Sequence, residues 1–228
     1  MERMNKRSST KGKPSMWEGW NTPPNLVTFL RIVLVVVFLG LYITAGPWGY
    51  RNQGMRWAAA IIFVIAASTD KIDGWLARKY DQVTELGKLM DPIADKLLTL
   101  GTLVVAACFN EFGIRWLGWL VTILFLVREL GITAMRFTVI DQGGHVIAAS
   151  QLGKYKTLTQ CLGLGMLMIP VWFLVPDTAG MGQPVWLTIY FVVTYTLIYL
   201  SLILCLYSGW QYVSTVIKAS RRRDADRS

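Results

Sequence analysis

At 228 residues, 54% of them hydrophobic, and with 23 lysines and arginines against 14 acids, the chain is both greasy and basic. Its apolar runs of about 18 to 23 residues match a hydrocarbon core of ~30 Å at ~1.5 Å per helical residue, which excludes a water-soluble globular domain. The positive charge sits beside those runs, so it speaks for topology and anionic lipid and against nucleic acid as a partner.

Residues 1–15 are polar and basic, and Met16, Trp17 and Trp20 suggest a short interfacial helix, so 1–24 reads as a cytosolic basic tail with an interfacial segment. The apolar run that follows is too long for a secretory signal, contains Arg31 and lacks a small-x-small cleavage site, so a retained first helix is expected. Six spans follow in order: Leu26–Thr44, Met55–Ala77, Leu89–Phe109, Trp116–Met135, Leu158–Val175 and Val185–Tyr207. Pro23-Pro24-Asn25 separates the surface segment from the first span, and Gly46-Pro47-Trp48-Gly49 makes the first outer turn. The expectation is an all-α integral membrane protein with a six-helix catalytic domain over 25–210 and a basic cytosolic tail over 211–228.

Only Arg51, Arg56 and Arg115 fall outside if both termini are cytosolic, so the positive-inside rule orients a multi-pass protein of the inner membrane. Trp48, Trp57, Trp116, Trp119, Trp172 and Trp186 cluster at outer span ends, as interface anchors do. Cys108, Cys161 and Cys205 lie one each in three spans and read as packing residues.

The second and third spans carry the chemistry. Asp70 and Asp73 are three apart and Asp91 and Asp95 four apart, so each pair occupies one helix face, and the short connection opposes the two faces. Four carboxylates converging near a membrane repel one another unless cations are present. The ligands are oxygen donors without nearby cysteine or histidine, which suits Mg²⁺ or Mn²⁺, one ion or two, as a reaction at a pyrophosphate requires. Gly74 and Ala77 each follow a carboxylate by one turn and leave a shallow shelf that a phosphate can approach. Gly87 does the same on the facing helix, and Arg78 closes the shelf with a fork suited to phosphate. A cation-coupled carrier is the alternative from another class; it has no need of the Gly–Ala–Arg shelf.

Asp70, Asp73, Gly74, Ala77, Arg78, Gly87, Asp91 and Asp95 together match the signature of the CDP-alcohol phosphotransferases, a family that the chain resembles. The resemblance implies that family's fold of six transmembrane helices, usually as a homodimer, and transfer from a CDP-linked donor to an alcohol with release of CMP. It also implies Asp70, Asp73 and Asp91 as metal ligands, Asp95 as general base with possible metal contact, and Gly74, Ala77 and Arg78 facing the cytidine diphosphate.

The acceptor lies outside that signature. Arg128, Arg136, Lys154 and Lys156 lie on the expected cytosolic side, where they suit an anionic acceptor, with Glu129 neutralising an arginine in the blander reading. Pro24–Arg31, Arg128-Glu129 with Arg136, and Gly153–Thr157 resemble the bacterial phosphatidylglycerophosphate synthase branch of the family. That likeness implies CDP-diacylglycerol as donor, sn-glycerol 3-phosphate as acceptor, and Asn25, Thr28 and Arg31 near the donor. Inositol phosphate, serine or phosphatidylglycerol stays open as acceptor.

Overall fold

The computed structural model describes the backbone of residues 23–80, 85–141, 151–175 and 184–225, and side chains at 25–69, 90, 92–135, 153–175 and 184–217. These residues form six α-helices: α1 (Pro23–Ala45), α2 (Gln53–Tyr80), α3 (Glu85–Cys108), α4 (Arg115–Asp141), α5 (Gln151–Met168) and α6 (Val185–Ala225). The interfacial segment expected around Trp17 lies outside the described residues. Pro23 and Pro24 open α1, because a first-turn proline lacks only an N–H that would have no helical partner.

Among the described residues three stretches are long and apolar enough to cross a membrane: Asn25–Ala45, Arg115–Met135 and Val185–Ile217, with a shorter apolar helix at Gln53–Thr69. The apolar run of α2 stops where its acidic segment begins, and α3 opens with Lys88, Asp91, Asp95 and Lys96. The chain is a helical membrane protein, and it exposes Leu30, Val33 and Val37 of α1 and Ile123 and Val127 of α4 where lipid takes the place of water.

The helices pack α1 against α2 and α3, α4 against α3 and α6, and α5 against α6 and α2. Phe38 of α1 and Phe63 of α2 meet at 5.4 Å between ring centroids, within a core that includes Val35, Leu98, Leu103 and Phe125. Gly163 sets the α5–α6 approach: a Cβ there would fall 2.8 Å from Ile198 Cγ1 and 3.1 Å from its backbone nitrogen. Small residues at such crossings let backbones close where no water is available to drive association.

The last two helices depart most from the sequence expectation. The fifth helix starts at Gln151 and stops at Met168 instead of reaching Val175, because Pro170 cannot continue it; a 3-10 turn over Val171–Leu174 follows. The sixth runs on past Tyr207 to Ala225, so most of the segment assigned to a tail is helical.

An unforeseen polar cluster occupies the end of the bundle formed by the start of α2 and the end of α3. Asn110 takes a left-handed conformation (φ 57°) after α3, and the N–H of Glu111 bonds back to Ala106 in a Schellman turn. Glu111 is thereby turned into the bundle, fully buried. Arg56 Nη1 and Nη2 donate to its Oε1 and Oε2 at 3.0 and 2.9 Å, and Tyr42 Oη donates to Oε2 at 2.6 Å. Arg56 also donates to the carbonyls of Met168 (3.1 Å) and Leu167 (2.9 Å), acceptors that the end of α5 leaves without helical partners. Arg56, expected on the outer side, is buried and caps the end of α5. Trp48 and Trp172 likewise pack edge to face at 5.0 Å, with Trp172 Nε1 donating to the Trp48 carbonyl, so this pair serves packing, whereas Trp116 and Trp186 are exposed.

Candidate active site

At the other end of the bundle α2 ends with the Asp70–Arg78 segment and α3 begins with Gly87, Asp91 and Asp95, and the two helices pack against each other. The side chains of Asp70, Asp73, Ala77, Arg78 and Asp91 lie outside the described residues, as do the surroundings of Gly74 and Gly87 and the side chain of Arg136. Asp95 is described. It stands on the wall of a cavity of about 1250 Å³ bounded by all six helices.

The cavity has two chemically different parts. One is apolar, with Phe63 and Val64 of α2, Leu162 and Met166 of α5, and Ile169 just past its end. The other gathers charge: among its described residues five cations (Arg31, Lys96, Arg128, Lys154, Lys156) face two acids, Asp95 and Glu129. A site that joins a cationic end to an apolar end fits an amphiphile that bears phosphate.

Glu129 organises the cations. Its Oε1 accepts from Arg128 Nη1 at 3.1 Å and from Lys156 Nζ, while the Cys205 thiol lies 3.7 Å away. Arg128 spends two further N–H groups on α6, donating from Nε to the Cys205 carbonyl at 2.8 Å and from Nη2 to Ser208 Oγ at 3.0 Å. Its stem lies on Gly209, where a Cβ would come within 3.1 Å of Arg128 Cγ. The fork is therefore fixed before any substrate arrives, which lowers the ordering cost of binding. Lys156 is buried, and Lys154, two residues earlier, is exposed at the rim. Lys96 Nζ donates to Thr133 Oγ1, linking α3 to α4.

The structure thus brings together Asp95, Arg128, Lys154, Lys156 and Arg31, the last only 1% exposed. Asn25 and Thr28 are buried on the same face of α1 but do not line the cavity. Sequence reasoning missed the wall supplied by α6, where Ser208, Gln211, Tyr212 and Thr215 line the cavity. Their spacing of three to four is a polar helix face, a signal obscured by the assignment of residues beyond 210 to a tail. Cys161, taken as a packing residue, also lines the cavity.

The CDP-alcohol phosphatidyltransferase family model matches residues 21–217, which takes in α1 to α5, α6 as far as Ile217 and every residue of the acidic segment. The chain belongs to that family. Similar members include the CDP-diacylglycerol–glycerol-3-phosphate 3-phosphatidyltransferase of Bacillus subtilis, 33% identical over 203 residues covering 84% of this chain and 93% of that protein. A probable phosphatidylglycerophosphate synthase of Mycobacterium tuberculosis is 41% identical over 147 residues, 64% of this chain and 66% of that protein. The Escherichia coli K12 CDP-diacylglycerol–glycerol-3-phosphate 3-phosphatidyltransferase is 34% identical over 146 residues, 64% of this chain and 75% of its own length. As a CDP-alcohol phosphatidyltransferase the chain is an enzyme, a membrane transferase, and the carrier reading gives way.

The donor set fits the divalent cation on which such chemistry depends. Among the described residues no three of His, Cys, Asp and Glu converge, and Asp95 is the signature acid whose side chain is described. Carboxylate oxygens without soft ligands suit Mg²⁺ or Mn²⁺.

Proposed function

We propose that the chain is a phosphatidylglycerophosphate synthase: it transfers the phosphatidyl group of CDP-diacylglycerol to sn-glycerol 3-phosphate, giving phosphatidylglycerol phosphate and CMP. The observation that carries this reading is the juxtaposition, in one cavity, of Asp95 with the cationic cluster of half-buried Arg128 and buried Lys156. An acceptor that is itself a phosphate needs such a cluster, whereas serine does not. The names of the relatives point to the same reaction.

Asp70, Asp73, Asp91 and Asp95 would hold one or two Mg²⁺ or Mn²⁺ ions, which supply charge neutralisation on the pyrophosphate. The chain's own residues do the rest. Asp95 accepts the proton of the acceptor's primary hydroxyl as that oxygen attacks the β-phosphorus of the donor. Arg128, Lys156 and Lys154, with Arg136, orient the acceptor by its phosphate; Gly74, Ala77, Arg78 and Gly87 receive the cytidine diphosphate. Arg31 stands on the donor side with Asn25 and Thr28 behind it. The apolar part of the cavity excludes water from the reacting phosphorus.

Six spans, both termini and the site on the cytosolic face of the inner membrane, and a homodimer complete the reading. The even number of helices among the described residues and the positive charge near the acidic end of the bundle support this orientation. The test supplies purified protein with CDP-diacylglycerol, Mg²⁺ and separate acceptors. CMP release with sn-glycerol 3-phosphate is expected; release with inositol phosphate or serine in its place overturns the assignment.

A further inference from the structure

The α6 wall of the cavity sets a polar helix face beside the cationic cluster. Its residues are neutral: Ser208, Gln211, Tyr212 and Thr215. The Ser208 hydroxyl is taken by Arg128 Nη2 at 3.0 Å, so this wall is joined directly to the cationic cluster. Gln211 follows Ser208 by three residues, about one helical turn or ~5 Å along the axis. Its backbone carbonyl accepts from Ser214 and Thr215, while no hydrogen bond engages its side-chain amide among the described residues.

A carboxamide offers two donors and an acceptor without charge, a poor match for a phosphate beside arginine and lysine but a good one for a hydroxyl. Sn-glycerol 3-phosphate carries one hydroxyl that reacts and one, at C2, that does not. We propose that Gln211 is a specificity-determining residue that hydrogen-bonds the acceptor's C2 hydroxyl, an inference that rests on the glycerol 3-phosphate reading of the site. The acceptor is then held at three points: its phosphate on the α4 and α5 cations, its attacking hydroxyl at Asp95 and its C2 hydroxyl at Gln211. Three different contacts are the minimum that distinguishes the enantiomers of a molecule whose stereocentre is C2.

The probe is 3-hydroxypropyl phosphate, which keeps the phosphate and the attacking hydroxyl and lacks only the C2 hydroxyl. Wild-type enzyme should prefer sn-glycerol 3-phosphate to this analogue. Gln211→Leu and Gln211→Ala should each lower kcat/KM for sn-glycerol 3-phosphate by about three- to tenfold, the effect of one neutral hydrogen bond. Both variants should leave kcat/KM for the analogue and KM for CDP-diacylglycerol near wild type, and both should discriminate less against sn-glycerol 1-phosphate. Equal losses on both acceptors, an unchanged preference, or a rise confined to KM for CDP-diacylglycerol overturns the role of Gln211 alone. A wild-type enzyme that releases no CMP with sn-glycerol 3-phosphate overturns the underlying reading as well.

Discussion

At the scale of single residues, burial separates two lysines that the sequence presents alike. Lys154 and Lys156 flank one tyrosine in a basic stretch, but Lys154 is exposed while Lys156 is buried against Glu129. A charge in water is screened and a charge held in the cavity is not, so the two should contribute unequally to phosphate binding. Lys156→Ala should raise KM for sn-glycerol 3-phosphate by about tenfold or more, the scale of a hydrogen bond to a charged group, with KM for CDP-diacylglycerol little changed. Lys154→Ala should have the smaller effect, and steady-state CMP release checks both; equal effects would count against the buried cluster as the acceptor's anchor. The pattern of residues brought out both lysines and Arg128 as candidates, because cations beside an apolar run are conspicuous. It could not rank them, since which side of α5 meets Glu129 depends on how α5 packs against α6 and α2. Gln211 was illegible for a related reason: a neutral amide carries no anomaly until the helix bearing it is seen to wall a cavity.

At the scale of elements, the helices and their order were readable from apolar runs, and the turn at Gly46–Gly49 from its glycines, both at φ 76°. Contacts between elements were not. Arg56 and Glu111 are separated by 55 residues, and no local pattern couples them. Glu111 nonetheless ties the bundle together at one end: its carboxylate joins α1 through Tyr42, the first turn through the Trp48 N–H at 2.8 Å, and α2 through Arg56, while its carbonyl accepts from Tyr195 of α6. Glu111→Ala would leave a buried guanidinium without its counter-charge, at a cost of about 3–5 kcal/mol. Tyr42→Phe, which removes one hydrogen bond, should cost about 1 kcal/mol. Thermal unfolding in detergent should therefore show a much lower midpoint for Glu111→Ala than for Tyr42→Phe. Sixteen residues of chain, about 24 Å if helical, separate Glu111 from Asp95, so CMP release below the melting range should survive in both. A similar small shift for both variants would mean that the ion pair is no clamp.

At the scale of the whole molecule, the acidic end of the bundle sets a balance that the other end does not face. Asp70 and Asp73 lie in the C-terminal half of α2, and α3, with Asp91 and Asp95, packs beside it. Without a cation these like charges oppose the packing of α2 on α3; with one they favour it, and an ion that binds the folded chain alone stabilises it by mass action. At an ion concentration 100 times its dissociation constant the gain is about 2.7 kcal/mol, which for a chain of this size corresponds to a rise of about 5–10 °C in the unfolding midpoint. Chelation should therefore lower the midpoint of the wild-type protein and abolish CMP release, with Mg²⁺ restoring both. Asp91→Asn separates the two effects, because it removes a charge as well as a ligand. In chelator it should melt at or above the wild-type temperature, having lost a repulsion, while its response to Mg²⁺ shrinks and CMP release fails. A wild-type midpoint indifferent to Mg²⁺, together with CMP release in chelator, would remove the ion from the reaction and return the four aspartates to a role in the membrane alone.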